Sequence, residues 1–391
     1  MTAGIAALFL AYVLSQFYRV FLAVIAPALA AGIGVGPDDL AQASGLWFLA
    51  FALMQFPVGW ALDRIGPRAT VSVLLGVCGS GGALIFALAQ GPMGISLGMI
   101  LIGIGCSPVL MASYYIFGRT FSPALFGTLA GVIIGVGGIG NLGGSVPLSM
   151  AVQAFGWRQT VLVLAMATAL VGVALALLVR DPPRVAGGGA KGSLRDVLRI
   201  PALWLILPMM AATYGPAIAV RGLWVGPYLA DVHGASATGI GRATLVMALA
   251  MIAGNFAYGP ADRLFGTRKG VVLAGTLLGA LCFGALALWP GIGMVQAGVL
   301  LCGIGFFGAS FSMIMAHGRA FLPPHLLGRG VTLINFFGIA GAGVMQALSG
   351  PLHKAYQGPD PAEAYTALFW MFTAILLCGS ALYLLSRDRT D

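Results

Sequence analysis

Long apolar runs separated by short polar turns recur along the whole chain. They fall at roughly 5–31, 42–62, 69–90, 95–117, 124–150 and 158–180, then at roughly 203–230, 237–261, 270–289, 294–316, 327–351 and 364–386. Each approaches or exceeds the ~20 residues that a 30 Å hydrocarbon core demands of a helix. The runs are continuous, not alternating, which excludes a barrel built from ~10-residue strands. The pattern predicts an all-α membrane protein with twelve transmembrane helices. Between the sixth and seventh runs lies the longest polar stretch, with Arg184, the triplet Gly187 to Gly189, Lys191 and Arg195. The expected organisation is a six-helix bundle over 1–180, a flexible cytoplasmic linker over 181–202 and a second six-helix bundle over 203–391.

The two bundles read as copies of one another. Asp63-Arg64 recurs as Asp262-Arg263, Gly103-Ile104-Gly105 as Gly303-Ile304-Gly305, and Gln55-Phe56 as Asn255-Phe256. GRTFSP from Gly118 recurs as GRAFLP from Gly318. The offsets all stay close to 200 residues, so the bundles are expected to be pseudo-symmetric.

Composition agrees with the pattern and removes other classes. Of 391 residues, 59% are hydrophobic and 8% charged, whereas soluble domains carry about 25% charged residues. The net charge of +9 comes from basic residues scattered among the turns, so nucleic acid is not the expected partner. With both termini and the linker placed inside, the outer loops keep only Arg158, Arg242 and Lys354. That asymmetry predicts a multi-pass plasma-membrane protein, of the bacterial inner-membrane kind, with cytoplasmic termini. The first run has no basic leader and contains Arg19, which argues against a cleaved signal. The cysteines Cys78, Cys106, Cys282, Cys302 and Cys378 all fall in apolar runs without metal-ligand spacing. Nothing suggests an enzyme, a metal or a cofactor.

Two charges stand out because they lie inside apolar runs. Arg19 sits in AYVLSQFYRVFLAVIAPALA, and Arg221 in YGPAIAVRGLWVGPYL. A charged side chain at mid-membrane costs about 2.5–3.5 kcal/mol on insertion scales, so one that is kept usually faces a cavity and has a task. The two are 202 residues apart, nearly equivalent places in the repeat. Every acid lies in a turn or at the end of a run, so no carboxylate matches their depth. The expectation is a facing pair that holds an anion. Tyr12, Gln16 and Arg19 share a helical face. Tyr18, Tyr214, Trp224, Tyr228, Tyr114, Tyr115, Gln55, Asn255, Asn141 and Asn335 are the other candidate solute-binding residues. Tyr114 and Tyr115 read equally as interfacial belt. His317 is expected at a solvated inner mouth.

The turn after the second run reads Gly59-Trp-Ala-Leu-Asp63-Arg64-Ile-Gly66-Pro-Arg68, with a degraded copy over 259–269. This resembles the G-x-x-x-D-R-x-G-x-R signature of the major facilitator superfamily (MFS). With twelve runs, a central linker and the repeat, the resemblance covers the whole chain. It implies the MFS fold and a transporter that rocks its two bundles about a midplane site. It also implies that Asp63, Arg64, Arg68, Asp262, Arg263 and Arg268, with Arg119 and Arg319, brace or gate the cytoplasmic ends. Asp63 would accept from helix N-termini or from an arginine of the other half. The arginine placement is similar to that of the organophosphate/phosphate antiporter branch. GIGNLGG in the fifth run, from Gly138, is similar to a nitrate/nitrite porter motif, though close helix packing is the plainer reading of those glycines.

The function expected is secondary active transport of a small organic anion, carboxylate or phosphate-like. Coupling would be anion exchange or symport with a proton that rides on the solute. The carrier is expected to act as a monomer in the bilayer. A drug or siderophore exporter, and a copper importer using Met247 and Met251, are the alternatives.

Overall fold

The computed structural model describes residues 2–121, 123–182, 194–323 and 326–389. The glycine triplet, Arg184 and Lys191 of the expected linker, and the last acid, Asp391, lie outside the described residues. Among the described residues there are helices and turns and no strand. Eleven helices are long and apolar enough to cross a membrane, and a bent pair makes a twelfth span. In chain order they are α1 (Ala3–Phe17 continued by Leu22–Ile33), α2 (Pro37–Arg64), α3 (Pro67–Leu88), α4 (Pro92–Thr120), α5 (Val132–Phe155) and α6 (Trp157–Leu178). There follow α7 (Leu203–His233), α8 (Ala237–Tyr258), α9 (Arg268–Leu288), α10 (Met294–Arg319), α11 (Arg329–Ala355) and α12 (Ala362–Tyr383). This is the expected all-α membrane fold.

Contacts divide the chain into two compact units, Met1–Ala186 with Ser236–Arg242, and Gly187–Ala235 with Ala243–Asp391. Local chemistry explains where the spans start and stop. Pro37, Pro67 and Pro92 open α2, α3 and α4, where a missing N–H costs nothing. Gly34 and Gly234 close α1 and α7 in the left-handed conformation, and each donates its N–H to the carbonyl four residues back. They stand 200 residues apart, so the duplication extends to the caps.

The repeat also extends to the irregularities. A 55° bend breaks α1 between Phe17 and Leu22, where Arg19 N and Val20 N bond to carbonyls three residues back. At the matching place α7 loosens into a π-turn over Val220–Trp224. Pro216 lies four residues before that turn and has no N–H for the helical ladder. Likewise α4 is interrupted between Cys106 and Val109, and α10 between Gly308 and Phe311.

Within the first unit, α5 lies against α1 at the distance only glycine allows. A Cβ on Gly140 would stand 2.0 Å from the Val13 carbonyl oxygen, and one on Gly137 would stand 2.4 Å from the Tyr12 ring. Gly137 and Gly140 of the fifth run therefore act in packing. Small residues are the usual means of close approach in lipid, where no hydrophobic drive separates helix from solvent.

Gly140→Val should cost at least the ~1–3 kcal/mol typical of overpacking, seen as a lower melting temperature in detergent. Gly135 is exposed, and a Cβ on it would meet nothing within 4 Å, so Gly135→Ala should melt like wild type. Equal melting of the two variants would refute the packing account.

Candidate functional site

Arg19 lies in the break of α1, and the break determines where its neighbours point. Tyr18 is 1% exposed, and its hydroxyl lies 2.9 Å from Thr168 Oγ1 on α6. Phe21 is fully buried and meets Tyr18 edge-on at 5.6 Å and Phe86 of α3 at 5.4 Å. These rings fix the broken segment in the core of the first unit. Arg19, between them in sequence, is only half-buried and sits against α2. Its guanidinium carbon is 4.9 Å from the Phe51 ring centroid and 5.7 Å from that of Trp47, two rings that stack on each other at 5.3 Å. Nε of Arg19 is buried without a hydrogen-bond partner, and no carboxylate among the described residues pairs with this arginine. Cation–π contacts at accessible sites contribute about 0.5–1 kcal/mol each, so two of them offset only part of the insertion cost. A guanidinium with five donors remains able to take an anion.

Arg221 is 4% exposed in the π-turn of α7. Such turns often mark functional positions, because they re-aim a side chain and disturb the carbonyl ladder. Here the Ala219 carbonyl accepts from Gln346 Nε2 of α11 at 3.3 Å. Tyr214, two turns earlier, is close enough to interact electrostatically with Arg221, and it packs edge-on against Phe311 at 4.8 Å.

The other expected solute-binding residues divide into two groups. Gln16 Nε2 donates to Tyr12 Oη at 2.9 Å, and Tyr114 lies near Tyr12, so a polar cluster joins α1 and α4. Asn141 and Asn335 are half-buried, as is Tyr115, whose ring carries the Arg119 guanidinium at 4.5 Å. The structure places the remainder elsewhere. Tyr18 points into the core, on the same helical face as Phe21 and toward Thr168. Gln55 Nε2 donates to the Phe51 carbonyl at 3.2 Å and reaches the Ser107 carbonyl at 3.5 Å, across the interruption of α4. Asn255 is exposed and donates to Met251 O at 3.0 Å. Trp224 and Tyr228 are fully buried, donating to Ser349 Oγ and to the Pro290 carbonyl, each at 2.8 Å. Met247 and Met251 both pack on Gly305 of α10. An open concavity of about 840 Å³ in the second unit is lined by residues such as Leu348, Tyr356 and Trp370, and does not include Arg221. Sequence reasoning missed Trp47, Phe51 and Gln346; the first two are four residues apart on α2, a spacing that also fits plain core.

The signature turns brace each unit internally. Gly66, at φ 113°, brings Arg68 N to 2.8 Å from Asp181 Oδ1, and a Cβ there would stand 3.0 Å from the same carboxylate. Arg68 Nε donates to the Ala176 carbonyl at 2.6 Å. In the second unit Asp388 accepts from Arg268 N at 3.2 Å, from Lys269 N at 3.0 Å and from the Thr267 hydroxyl. Negative charge at a helix N-terminus is stabilising. The acids that accept at the starts of α3 and α9 are thus Asp181 and Asp388, which follow α6 and α12, and not Asp63. Asp63, Arg64, Arg263 and Arg319 are exposed, while Asp262 pairs with Arg268 at 3.0 Å within its own turn. His317 is fully buried, with Nδ1 on Tyr383 Oη and Nε2 3.0 Å from the Arg387 carbonyl. The expected solvated mouth is closed over it by the C-terminal residues.

Partial burial pushes the Asp388 carboxyl up, but bonds from Thr267, Lys269 and Arg268, with the charge of nearby His317, outweigh it and hold the group below its ordinary value. A lowered folded pKa stabilises the fold above the unfolded value of ~3.9, and that contribution is lost as pH falls through the folded value. The melting temperatures of wild type and Asp388→Asn should therefore differ by a steady amount from pH 7 to about 5 and converge below about 4. Divergence on acidification would contradict this.

Comparison with known proteins fits the geometry. A search of curated protein sequences finds no match. Among solved structures, a bacterial homologue of the human lysosomal transporter Spinster, in an inward-facing and occupied conformation, aligns with a TM-score of 0.82. It is 17% identical, and the alignment covers 98% of this chain and 96% of that one. A nucleoside transporter aligns with a TM-score of 0.77 at 12% identity, covering 98% and 99% of the two chains. A D-xylose–proton symporter gives 0.77 at 14% identity, covering 98% and 97%. At these identities the likeness is one of fold. The family model for the Major Facilitator Superfamily matches residues 8–225 and 217–391. Spanning the whole chain between them, these two matches mean that the protein belongs to the Major Facilitator Superfamily, a family of secondary transporters.

Proposed function

We propose that this transporter moves a small organic anion, a carboxylate or phosphate-like solute, and that Arg19 and Arg221 recognise its charge. The observation that carries this reading is Arg19 itself. It is a guanidinium in the broken middle of a membrane span, laid on Trp47 and Phe51, with its Nε buried and unbonded and no acid paired to it. Tyr12, Gln16 and Tyr114 supply polar groups on the same bundle, and Tyr214 accompanies Arg221. Arg221 occupies the equivalent place in the duplicated half, which favours a shared task over two unrelated ones.

The carrier works by alternating access, as anion exchange or proton-linked symport, with both termini cytoplasmic in a plasma membrane. It acts as a monomer and needs neither a cofactor nor nucleic acid. Occupancy by an anion would neutralise the buried charge, which favours the conformational exchange of the loaded form over that of the empty one. The copper reading loses support because Met247 and Met251 face the same glycine of α10 in close packing.

The test is a thermal-shift screen of the purified protein against mono- and dicarboxylates, inorganic phosphate and phosphate esters, with cations and neutral drugs alongside. A ligand at 100 times its Kd stabilises by about 2.7 kcal/mol, so bound anions should raise the melting temperature by several degrees. Arg19→Ala and Arg221→Ala should each remove that shift, and Arg19→Lys should keep only part of it, since a point charge replaces a planar fork. Stabilisation by cations or neutral compounds alone would overturn the assignment.

A further inference from the structure

The second unit holds a buried titratable cluster that anion recognition does not use. His353, in the last turns of α11, is 3% exposed. Its ring lies 4.8 Å from the Trp224 indole and 4.9 Å from the Tyr365 ring, centroid to centroid. Tyr365, fully buried on α12, donates its hydroxyl to Asp231 Oδ2, and Asp231 is exposed at the end of α7. Trp224 is the last residue of the π-turn that carries Arg221. From there polar contacts continue: Trp224 Nε1 to Ser349 Oγ at 2.8 Å, Ser349 Oγ to the Gln346 carbonyl at 2.7 Å, and Gln346 Nε2 to the Ala219 carbonyl at 3.3 Å. One contiguous set of side chains therefore joins a water-accessible carboxylate, a buried imidazole and the backbone beside Arg221.

We propose that His353 is a proton-binding site and that its charge state is passed to the π-turn of Arg221 through Trp224. A neutral imidazole is the only common side chain whose ordinary titration falls near physiological pH. A buried imidazolium is costly unless something receives its charge. Here the Trp224 and Tyr365 rings lie against the His353 ring, the Asp231 carboxylate is held by the hydroxyl of Tyr365, and His353 Nδ1 is 3.4 Å from Gln357 Nε2. The other charged and titratable groups around it are Arg221, Tyr228 and His233 on α7, and Asp360 and Glu363 near the start of α12. Lys354 and Tyr356 flank it in sequence. Of these, His233 Nε2 is 3.2 Å from Tyr228 Oη, Asp360 caps Ala362 N at 2.9 Å, and Glu363 is turned to Gly358.

The consequence for transport rests on reading Arg221 as part of the anion site. A proton on His353 adds positive charge one ring away from the Arg221 turn, so proton and anion each favour the other's binding, as linkage requires. That selects proton-linked symport over exchange, with the proton on the protein and not on the solute.

The test needs no solute, so it can fail separately from the anion assignment. Protonated imidazole quenches a neighbouring indole, which makes Trp224 the reporter. Tryptophan fluorescence of the purified protein is recorded across about pH 5–8, the range in which imidazoles ordinarily titrate. Wild type should show a reversible quench on acidification, lost in both Trp224→Phe and His353→Gln and kept in His233→Gln. Asp231→Asn should move the midpoint to lower pH, by removing the charge that favours the imidazolium; this variant keeps the buried rings intact and serves if His353→Gln fails to fold. A flat wild-type profile, a step that persists in Trp224→Phe or His353→Gln, or a midpoint unmoved by Asp231→Asn would overturn the proposal.

Discussion

A guanidinium held among hydrocarbon must be met by something, and in the first unit what meets Arg19 is a pair of stacked rings, not a carboxylate. That choice of neighbour matters more than the depth of the charge. A carboxylate would have neutralised the arginine for good and made it structural. Ring faces stabilise the cation without using up its donors. Tyr18 and Phe21, three residues apart, share a helical face, and Thr168 and Phe86 hold that face in the core of the first unit. Arg19 lies off that face and against the rings of α2.

The duplication is preserved in several backbone irregularities, although the π-turn of α3 over Leu74–Gly79 and the interruption of α5 between Gly143 and Val146 have no counterpart in α9 and α11. The bend at Arg19 has its counterpart in the π-turn at Arg221, the left-handed Gly34 in Gly234, and the interruption of α4 in that of α10. The inner braces follow the same rule. Asp181 and Asp388 each accept from the first turn of a helix begun by the signature motif, although the second copy of the motif has drifted in sequence. What the two halves share is therefore a set of places where the helical ladder is deliberately imperfect. Irregular backbone in a membrane has to be satisfied locally, and Gln346 on Ala219 shows one such satisfaction.

The spans were legible because length and apolarity are dictated by the bilayer, and those are one-dimensional properties of a sequence. Arg19 and Arg221 were conspicuous for the same reason, since a charge in an apolar run needs no tertiary information to stand out. Direction was not legible. The stagger of Tyr12, Gln16 and Arg19 presumes a straight helix; it holds for Tyr12 and Gln16, which bond to each other, and ends at Phe17 with the first segment of α1. Trp47 and Phe51 read as ordinary core, because nothing local distinguishes a ring that packs on apolar atoms from one that packs on a cation. His317 reads as a mouth residue because its cover, the Arg387 carbonyl, is 70 residues away in sequence. One missed feature did leave a trace: Arg180-Asp181 and Arg387-Asp388 repeat one dipeptide after the last span of each half.

Trp224 and Tyr228 show how a polar aromatic side chain inside a span is satisfied by its own unit. Both were attractive candidates because an indole and a phenol inside a span must place a polar atom somewhere. The structure gives those atoms to Ser349 and Pro290, fully out of reach of water. Yet Trp224 shares its turn with Arg221 and its ring face with His353. The indole lies between the Tyr365 and His353 rings, and Tyr365 in turn packs on Tyr228, in a core with little free space. The buried aromatic cluster thus sets the Arg221 turn and the His353 ring against one side chain, Trp224, away from water.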